Sequence, residues 1–253
     1  MMRRVVLLAL SAGLLAWTPA PETDLEGSWA GRWAMEMRIA SVARIPLIGD
    51  QHSVTTSWML VDLQQEGTRW VQRHQVCDVR VHGNAGGARL IVPPAFVRSL
   101  PARVYPVSLA ARKDRGSYLA DMGVELIGLE RSFSGASLPR NAQHPGVRDT
   151  DGDGAPGATI EMQIPALGRV KLYVVQRSHL VLNGRRTPDG AVRGAVDFRV
   201  QEQRTIGARP GLLGRSPAIR PVPARSEFTL VRVPGTADCA ELGKAREALF
   251  SDG

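Results

Sequence analysis

Apolar and polar residues alternate with a period of two over much of the chain. The clearest run lies between residues 29 and 39, where the alternating set is Trp29, Gly31, Trp33, Met35, Met37 and Ile39. This period is that of a β-strand with one buried face. The pattern predicts that the first long element is a half-buried strand.

Further segments of strand character recur at short intervals and are separated by Gly, Asn and Asp turn residues. Asn183-Gly184 and Asp189-Gly190 bound a short connection that is typical of a hairpin. Only residues 239–250 carry a helical apolar stripe. The predicted strands, besides 29–39, cover residues 55–65, 70–81, 88–92, 104–110, 117–129, 158–164, 170–182, 192–205 and 228–233.

This spacing of short strands predicts an all-β fold. About nine to ten strands would form an antiparallel barrel or a sandwich, followed by a short C-terminal helix. In the strand over residues 70–81, strict alternation predicts two opposite faces. Cys77, Val79 and Val81 are expected on one face, and His74, Asp78 and Arg80 on the other.

Length and composition predict one folded unit. The chain has 253 residues, of which 43% are hydrophobic and 22% are charged, so it is able to bury a sizeable core. We expect a single β domain over residues 21–253, with irregular loops near 132–157 and 207–225, where polar, Pro and Gly residues concentrate.

The N-terminal segment has the pattern of an export signal. Two arginines precede an apolar run over residues 5–17, and small residues follow up to residue 20. Residues 1–20 therefore predict a signal peptide and a periplasmic or extracellular protein. No later stretch is apolar enough to predict a transmembrane helix.

The predicted export affects what is expected of the two cysteines. In an oxidising compartment, Cys77 and Cys239 are expected to form a disulfide that ties the C-terminal tail to an early strand. The alternative is a pair of unpaired buried thiols.

A formal net charge of +8 raises the question of nucleic-acid binding. The positive charge comes mostly from arginines scattered along the whole chain, with no basic cluster interleaved with aromatic residues. We therefore predict no nucleic-acid partner. A diffuse basic surface would still attract anionic lipid or polysaccharide.

The strongest chemical signal is the acidic stretch over residues 149–157. Asp149, Asp151 and Asp153 alternate, and Gly154 and Ala155 follow them. In EF-hand loops, positions one, three and five supply side-chain oxygens, a glycine allows the turn, and position seven supplies a carbonyl. The stretch resembles the calcium loops of secreted proteins, including the thrombospondin type 3 kind. The expected cofactor is calcium.

The stretch departs from an EF-hand at its end. Ile160 stands where the bidentate acid is expected, and Glu161 comes one residue late. The predicted ligand set is Asp149, Asp151, Asp153, the carbonyl of Ala155, and Glu161, with water or another segment completing the shell. The alternative is a solvated turn without a metal.

Gly27-Ser28-Trp29, which opens the first strand, resembles the Gly-x-Trp start of lipocalins. That resemblance implies a barrel with a pocket for a small apolar ligand. The residues expected to line such a pocket are Trp29, Trp33, Met35 and Trp58, and the alternative for them is plain core packing.

The sequence contains no motif that predicts catalysis. It has neither a Gly-x-Ser-x-Gly elbow nor a phosphate-binding glycine loop, and no histidine pair has metal-ligand spacing. All five histidines are predicted to be surface or partly buried. We expect a non-catalytic, exported, calcium-binding protein that binds a small apolar ligand, a lipid or an envelope component. Two alternatives stay open: a calcium-stabilised envelope protein acting through protein contacts, and a hydrolase with a non-motif active site.

Overall fold

The computed structural model describes residues 28–45, 49–83, 87–110, 116–165, 168–211 and 219–251. The predicted signal peptide and residues 212–218 of the second irregular loop lie outside these ranges. Within the ranges the fold is all-β. The strands are β1 (Gly31–Ile45), β2 (Gly49–Glu66), β3 (Arg69–Gly83), β4 (Arg89–Ile91), β5 (Arg103–Ala110), β6 (Ser117–Ile127), β7 (Ala158–Ile164), β8 (Gly168–Arg186), β9 (Val192–Arg209), β10 (Ile219–Pro221) and β11 (Glu227–Arg232).

Two helices accompany the strands. Helix α1 (Pro94–Ser99) follows β4, and helix α2 (Cys239–Phe250) follows β11. A 3-10 turn over Pro223–Arg225 precedes β11. In the described part of the chain, neither helix combines the length and the apolar character that crossing a membrane requires.

Eight strands pair in a closed, barrel-like ring. The chain visits them in the order β1, β2, β3, β5, β6, β8, β9 and β11, and β11 pairs again with β1. Every pairing in the ring is antiparallel. Strand β7 pairs with the first part of β8, β4 pairs with β7, and β10 pairs with β1. The prediction of an antiparallel all-β fold with a short C-terminal helix is confirmed.

The core lies inside the ring. Alternate residues of β1 point inward, and two of them, Trp33 and Met35, are fully buried. They pack with Tyr118 of β6, Leu182 of β8 and Phe228 of β11. The period of two seen in the sequence is therefore the inside–outside alternation of the ring.

Two smaller apolar clusters extend this core. Helix α1 contributes Phe96 and Val97 to a cluster that also contains Val170 and Leu172 of β8. The irregular segment between β6 and β7 contributes to the other cluster, whose buried members are Leu129, Leu138, Val147, Val175 and Ile206. The long loop is therefore anchored on β8 and β9 by its own apolar residues.

The predicted disulfide is present and fixes α2 on the outer face of the ring. Cys77 and Cys239 are bonded, with their Cα atoms 5.2 Å apart. Asp238 caps the helix through a reciprocal capping box with Glu241. The helix buries Leu242 in an outer cluster whose other buried members are Ala34, Trp58 and Leu60.

The predicted faces of β3 are wrong because the strand contains a bulge. Trp58 pairs with Asp78 while Met59 pairs with Val76, so Cys77 is left without a partner in the ladder. The extra residue reverses the inside–outside alternation. As a result His74 points into the ring and is only 4% exposed, which corrects its prediction as a surface or partly buried histidine.

Four features of the secondary structure differ from the prediction. Asn183 and Gly184 lie within β8, where Gly184 pairs with Gly194 of β9. A Cβ on Gly194 would lie 2.1 Å from the carbonyl oxygen of Asn183, so the strands approach closely at this pair of glycines. The turn itself forms near Gly190, with φ of +83°. Helix α1 and strand β10 were not predicted, and β9 extends into the predicted loop near 207–225 as far as Arg209.

Candidate metal centre

The acidic loop over residues 149–157 leads into β7 and owes its shape to its glycines. Gly152, Gly154 and Gly157 have φ angles of +70°, +81° and +86°, a region that favours glycine. A Cβ on Gly157 would lie 2.6 Å from the carbonyl oxygen of Val174. The loop can therefore approach β8 closely only with glycine at residue 157.

Backbone hydrogen bonds close the base of the loop. The Thr150 N–H donates to the carbonyl of Gly157, and the Gly157 N–H donates to the carbonyl of Arg148, both at 3.0 Å. The Gly128 N–H at the end of β6 donates to the Thr150 hydroxyl at 3.2 Å. The first two bonds join the two ends of the loop to each other, and the third joins the loop to the end of β6.

The loop brings three carboxylates together. Asp149, Asp151 and Asp153 each offer an oxygen, and these oxygens all lie within 4.8 Å of one another. Asp149 is oriented by two backbone donors, the N–H groups of Gly152 at 2.7 Å and Gly154 at 2.9 Å. These are the three side chains that the sequence placed at positions one, three and five.

The other two carboxylates are held by the start of β7. The backbone N–H of Thr159 donates to Asp151 Oδ2 at 2.8 Å, and its hydroxyl donates to Asp153 Oδ2 at 2.9 Å. The Ala155 N–H donates to Asp153 Oδ1 at 2.8 Å. Thr159 therefore orients two of the three acids, although the spacing of the acidic residues did not indicate it.

The electrostatics of the loop are those of crowded anions. Burial, opposed by the bond from Thr159 and reinforced by the charge of Asp153, raises the pKa of Asp151. Burial would raise the pKa of Asp149 as well, but hydrogen bonds from the loop glycines outweigh it and leave that pKa low. Asp151 Oδ1 is buried and has no hydrogen-bond partner among the described residues. A metal cation could pair with this oxygen.

Two basic side chains mark the boundary of the site. Lys171 Nζ of β8 lies 3.8 Å from Asp153 Oδ2. Glu161, a predicted ligand, instead pairs with Arg169 at 3.1 Å and lies outside the group of three carboxylates. Lys171 is opposite Glu161 in the β7–β8 ladder, and this register places the Lys171 side chain of β8 beside the loop. No local sequence signal could have placed Lys171 there.

The four residues predicted to line an apolar pocket fall into two places. Trp29, Trp33 and Met35 lie together in the interior core cluster. Trp58 points to the opposite face of the sheet and lies in the cluster under α2. The small apolar ligand stays a prediction. In the structure, Trp29, Trp33 and Met35 pack with the other side chains of the interior core.

No protein-family model, no curated protein and no solved structure matches this chain, so its chemistry rests on the geometry of its own residues. That geometry defines one group of three carboxylates, Asp149, Asp151 and Asp153, that could hold a metal ion in the described part of the chain.

Proposed function

We propose that the protein is an exported, non-catalytic β protein whose loop over residues 149–157 binds calcium. The observation that carries this proposal is the convergence of Asp149, Asp151 and Asp153 within 4.8 Å, with Asp151 Oδ1 buried and unpaired among the described residues. Three carboxylates at this distance repel one another unless a cation or a proton offsets their charge.

The donor set favours calcium over other metals. All three side chains offer hard oxygen ligands, whereas zinc and copper sites commonly include histidine or thiolate. Both cysteines of the chain are already used in the disulfide. Magnesium requires near-ideal octahedral geometry and usually keeps several waters, while calcium accepts six to eight oxygens in irregular arrangements. The carbonyl of Ala155 and water molecules would complete the shell.

The position of the loop supports a structural role for the ion. Asp151 and Asp153 are bonded to Thr159 at the start of β7, and Gly157 contacts β8. An ion held by all three acids would fix the long β6–β7 connection to the ring. A calcium-rich compartment outside the cytoplasm is consistent with the disulfide.

Thermal unfolding in millimolar calcium and in chelator tests this function, because extracellular calcium modules commonly bind in the range of about 0.1–1 mM. At a concentration of about 10 times Kd, binding stabilises the folded state by about 1.4 kcal/mol. For a domain of this size, that corresponds to a rise in Tm of about 3–6 °C. Equal concentrations of magnesium should give a smaller shift.

Asp151→Asn should abolish the calcium-dependent rise, since it removes the charge but keeps the size of the side chain. Asp197→Asn, which removes an exposed carboxylate on β9, is the matched control and should keep the rise. An unchanged Tm for the wild-type protein in calcium and in chelator would overturn the proposal.

A further inference from the structure

A strip of polar side chains crosses the interior of the ring next to its apolar core. Gln72 and His74 project inward from β3 and are 0% and 4% exposed. Tyr105 on β5 lies opposite Gln72 and meets the His74 ring edge-on, with centroids 5.0 Å apart. Tyr118 on β6 donates its hydroxyl hydrogen to Gln72 Oε1. Four interior residues of three neighbouring strands therefore form one polar strip.

This strip has more hydrogen-bonding capacity than the protein uses. Gln72 Nε2 and both ring nitrogens of His74 are buried without a hydrogen-bond partner in the described part of the chain. Gln72 Oε1 accepts from Tyr118, so Nε2 faces away from that hydroxyl. Buried polar groups of native proteins are almost always paired, with protein or with ordered water.

The charge state of the strip limits what its partner is. Burial lowers the pKa of His74 to about 3, so its imidazole is neutral at pH 7 and offers one donor and one acceptor. The nearby charges already pair with each other, since Arg103 lies 3.4 Å from Glu125, which also accepts from the Tyr105 hydroxyl. A neutral partner that both donates and accepts hydrogen bonds fits this setting, and the amide N–H groups exclude a cation.

We propose that an ordered internal water bridges Gln72 Nε2 and a ring nitrogen of His74. The two side chains lie on the same face of β3, two residues apart, so their Cβ atoms are separated by about 6.8 Å along the strand. A water that accepts from the amide and exchanges a hydrogen bond with the imidazole spans such a gap. Buried waters typically make two to four such bonds.

The bridging water has a direct signature in NMR spectra of the purified protein. The side-chain amide protons of Gln72 and the ring proton of His74 should both show cross-peaks to water, with the sign of an immobilised molecule. Long-range ¹H–¹⁵N spectra should show a neutral His74 tautomer. Gln72→Met, which removes the amide donors, should abolish the water contact of His74. Gln75→Met alters an exposed glutamine of the same strand and should leave it intact.

Two results would overturn the proposal. One is the lack of any immobilised-water contact at Gln72 and His74 in the wild-type protein. The other is a retained organic molecule in native mass spectra, which would assign the same polar groups to a hydroxyl-bearing ligand. The wild-type spectra decide between these outcomes even if Gln72→Met does not fold.

Discussion

At the scale of single residues, Lys171 is the side chain with the clearest expected influence on metal binding. Its ammonium lies 3.8 Å from Asp153 Oδ2, so it competes with a cation for the charge of that carboxylate. Lys171→Met should therefore tighten calcium binding by about two- to fivefold, the range expected for partly exposed charge pairs. Isothermal titration calorimetry at low ionic strength would measure the change.

Lys244→Met, which removes an exposed lysine from α2, is the control for the loss of one positive charge. It should leave the calcium affinity unchanged, and added salt should reduce the difference between the two variants because exposed charges are screened. Weaker calcium binding by Lys171→Met would mean that this lysine positions Asp153 instead of competing with the ion.

How far the sequence predicts this site depends on the range of its contacts. Asp149, Asp151 and Asp153 are close in the chain, so their spacing and the glycines among them were enough to predict that the three carboxylates lie together. Glu161 was predicted as a ligand by its place in a loop pattern, yet it pairs with Arg169. Thr159 and Lys171 contact the acids through β7 and β8, and such contacts depend on strand register, which the sequence does not specify locally.

At the scale of elements, the disulfide between β3 and α2 is expected to have the largest single effect on stability. It closes a loop with a sequence separation of 162 residues. In the chain-entropy model, such a loop restricts the unfolded chain by about 5 kcal/mol, reduced by any strain in the folded state. The double variant Cys77→Ser with Cys239→Ser should lose stability of that order in urea unfolding.

Reducing agent gives the control for this experiment. It should lower the unfolding midpoint of the wild-type protein and leave that of the double variant unchanged. The slope of the unfolding free energy against urea should also rise in the double variant, because its unfolded chain exposes more surface. Equal midpoints for the two proteins would show that the disulfide does not stabilise this fold.

The elements themselves followed from local patterns, and the exceptions have physical causes. All ten predicted strands are present because period-two alternation marks a sheet with one face in the core. The bulge at Cys77 reversed the faces of β3, since one extra residue shifts every later side chain to the other face. Helix α1 has only six residues, too few for a helical stripe to be visible.

At the scale of the whole molecule, closure of the ring could not be predicted from local sequence patterns. It depends on β11 pairing with β1 across nearly the whole described chain. Sequence patterns left barrel and sandwich open for this reason. Closure is what encloses His74, so the interior position of that residue is a property of the complete ring.

The enclosed His74 predicts a particular loss of stability in mild acid. Burial lowers its pKa from 6.5 to about 3, so the unfolded chain binds a proton that the folded chain does not. The contribution of neutral His74 to the free energy of unfolding is fully present above pH 6.5 and is lost as the pH drops toward the folded pKa. In that range the free energy of unfolding should fall by up to about 1.4 kcal/mol per pH unit because of this residue. His74→Gln, which cannot titrate, should show a smaller slope between pH 7 and pH 4.5.

Urea unfolding of both proteins across this range would measure the difference, since carboxylates that titrate near pH 4 contribute equally to each. His82→Gln removes an exposed histidine and should retain the wild-type slope. If wild type and His74→Gln lost stability equally, the folded ring would have to admit a proton at His74 as readily as the unfolded chain does. The interior of the ring would then be open to solvent at β3.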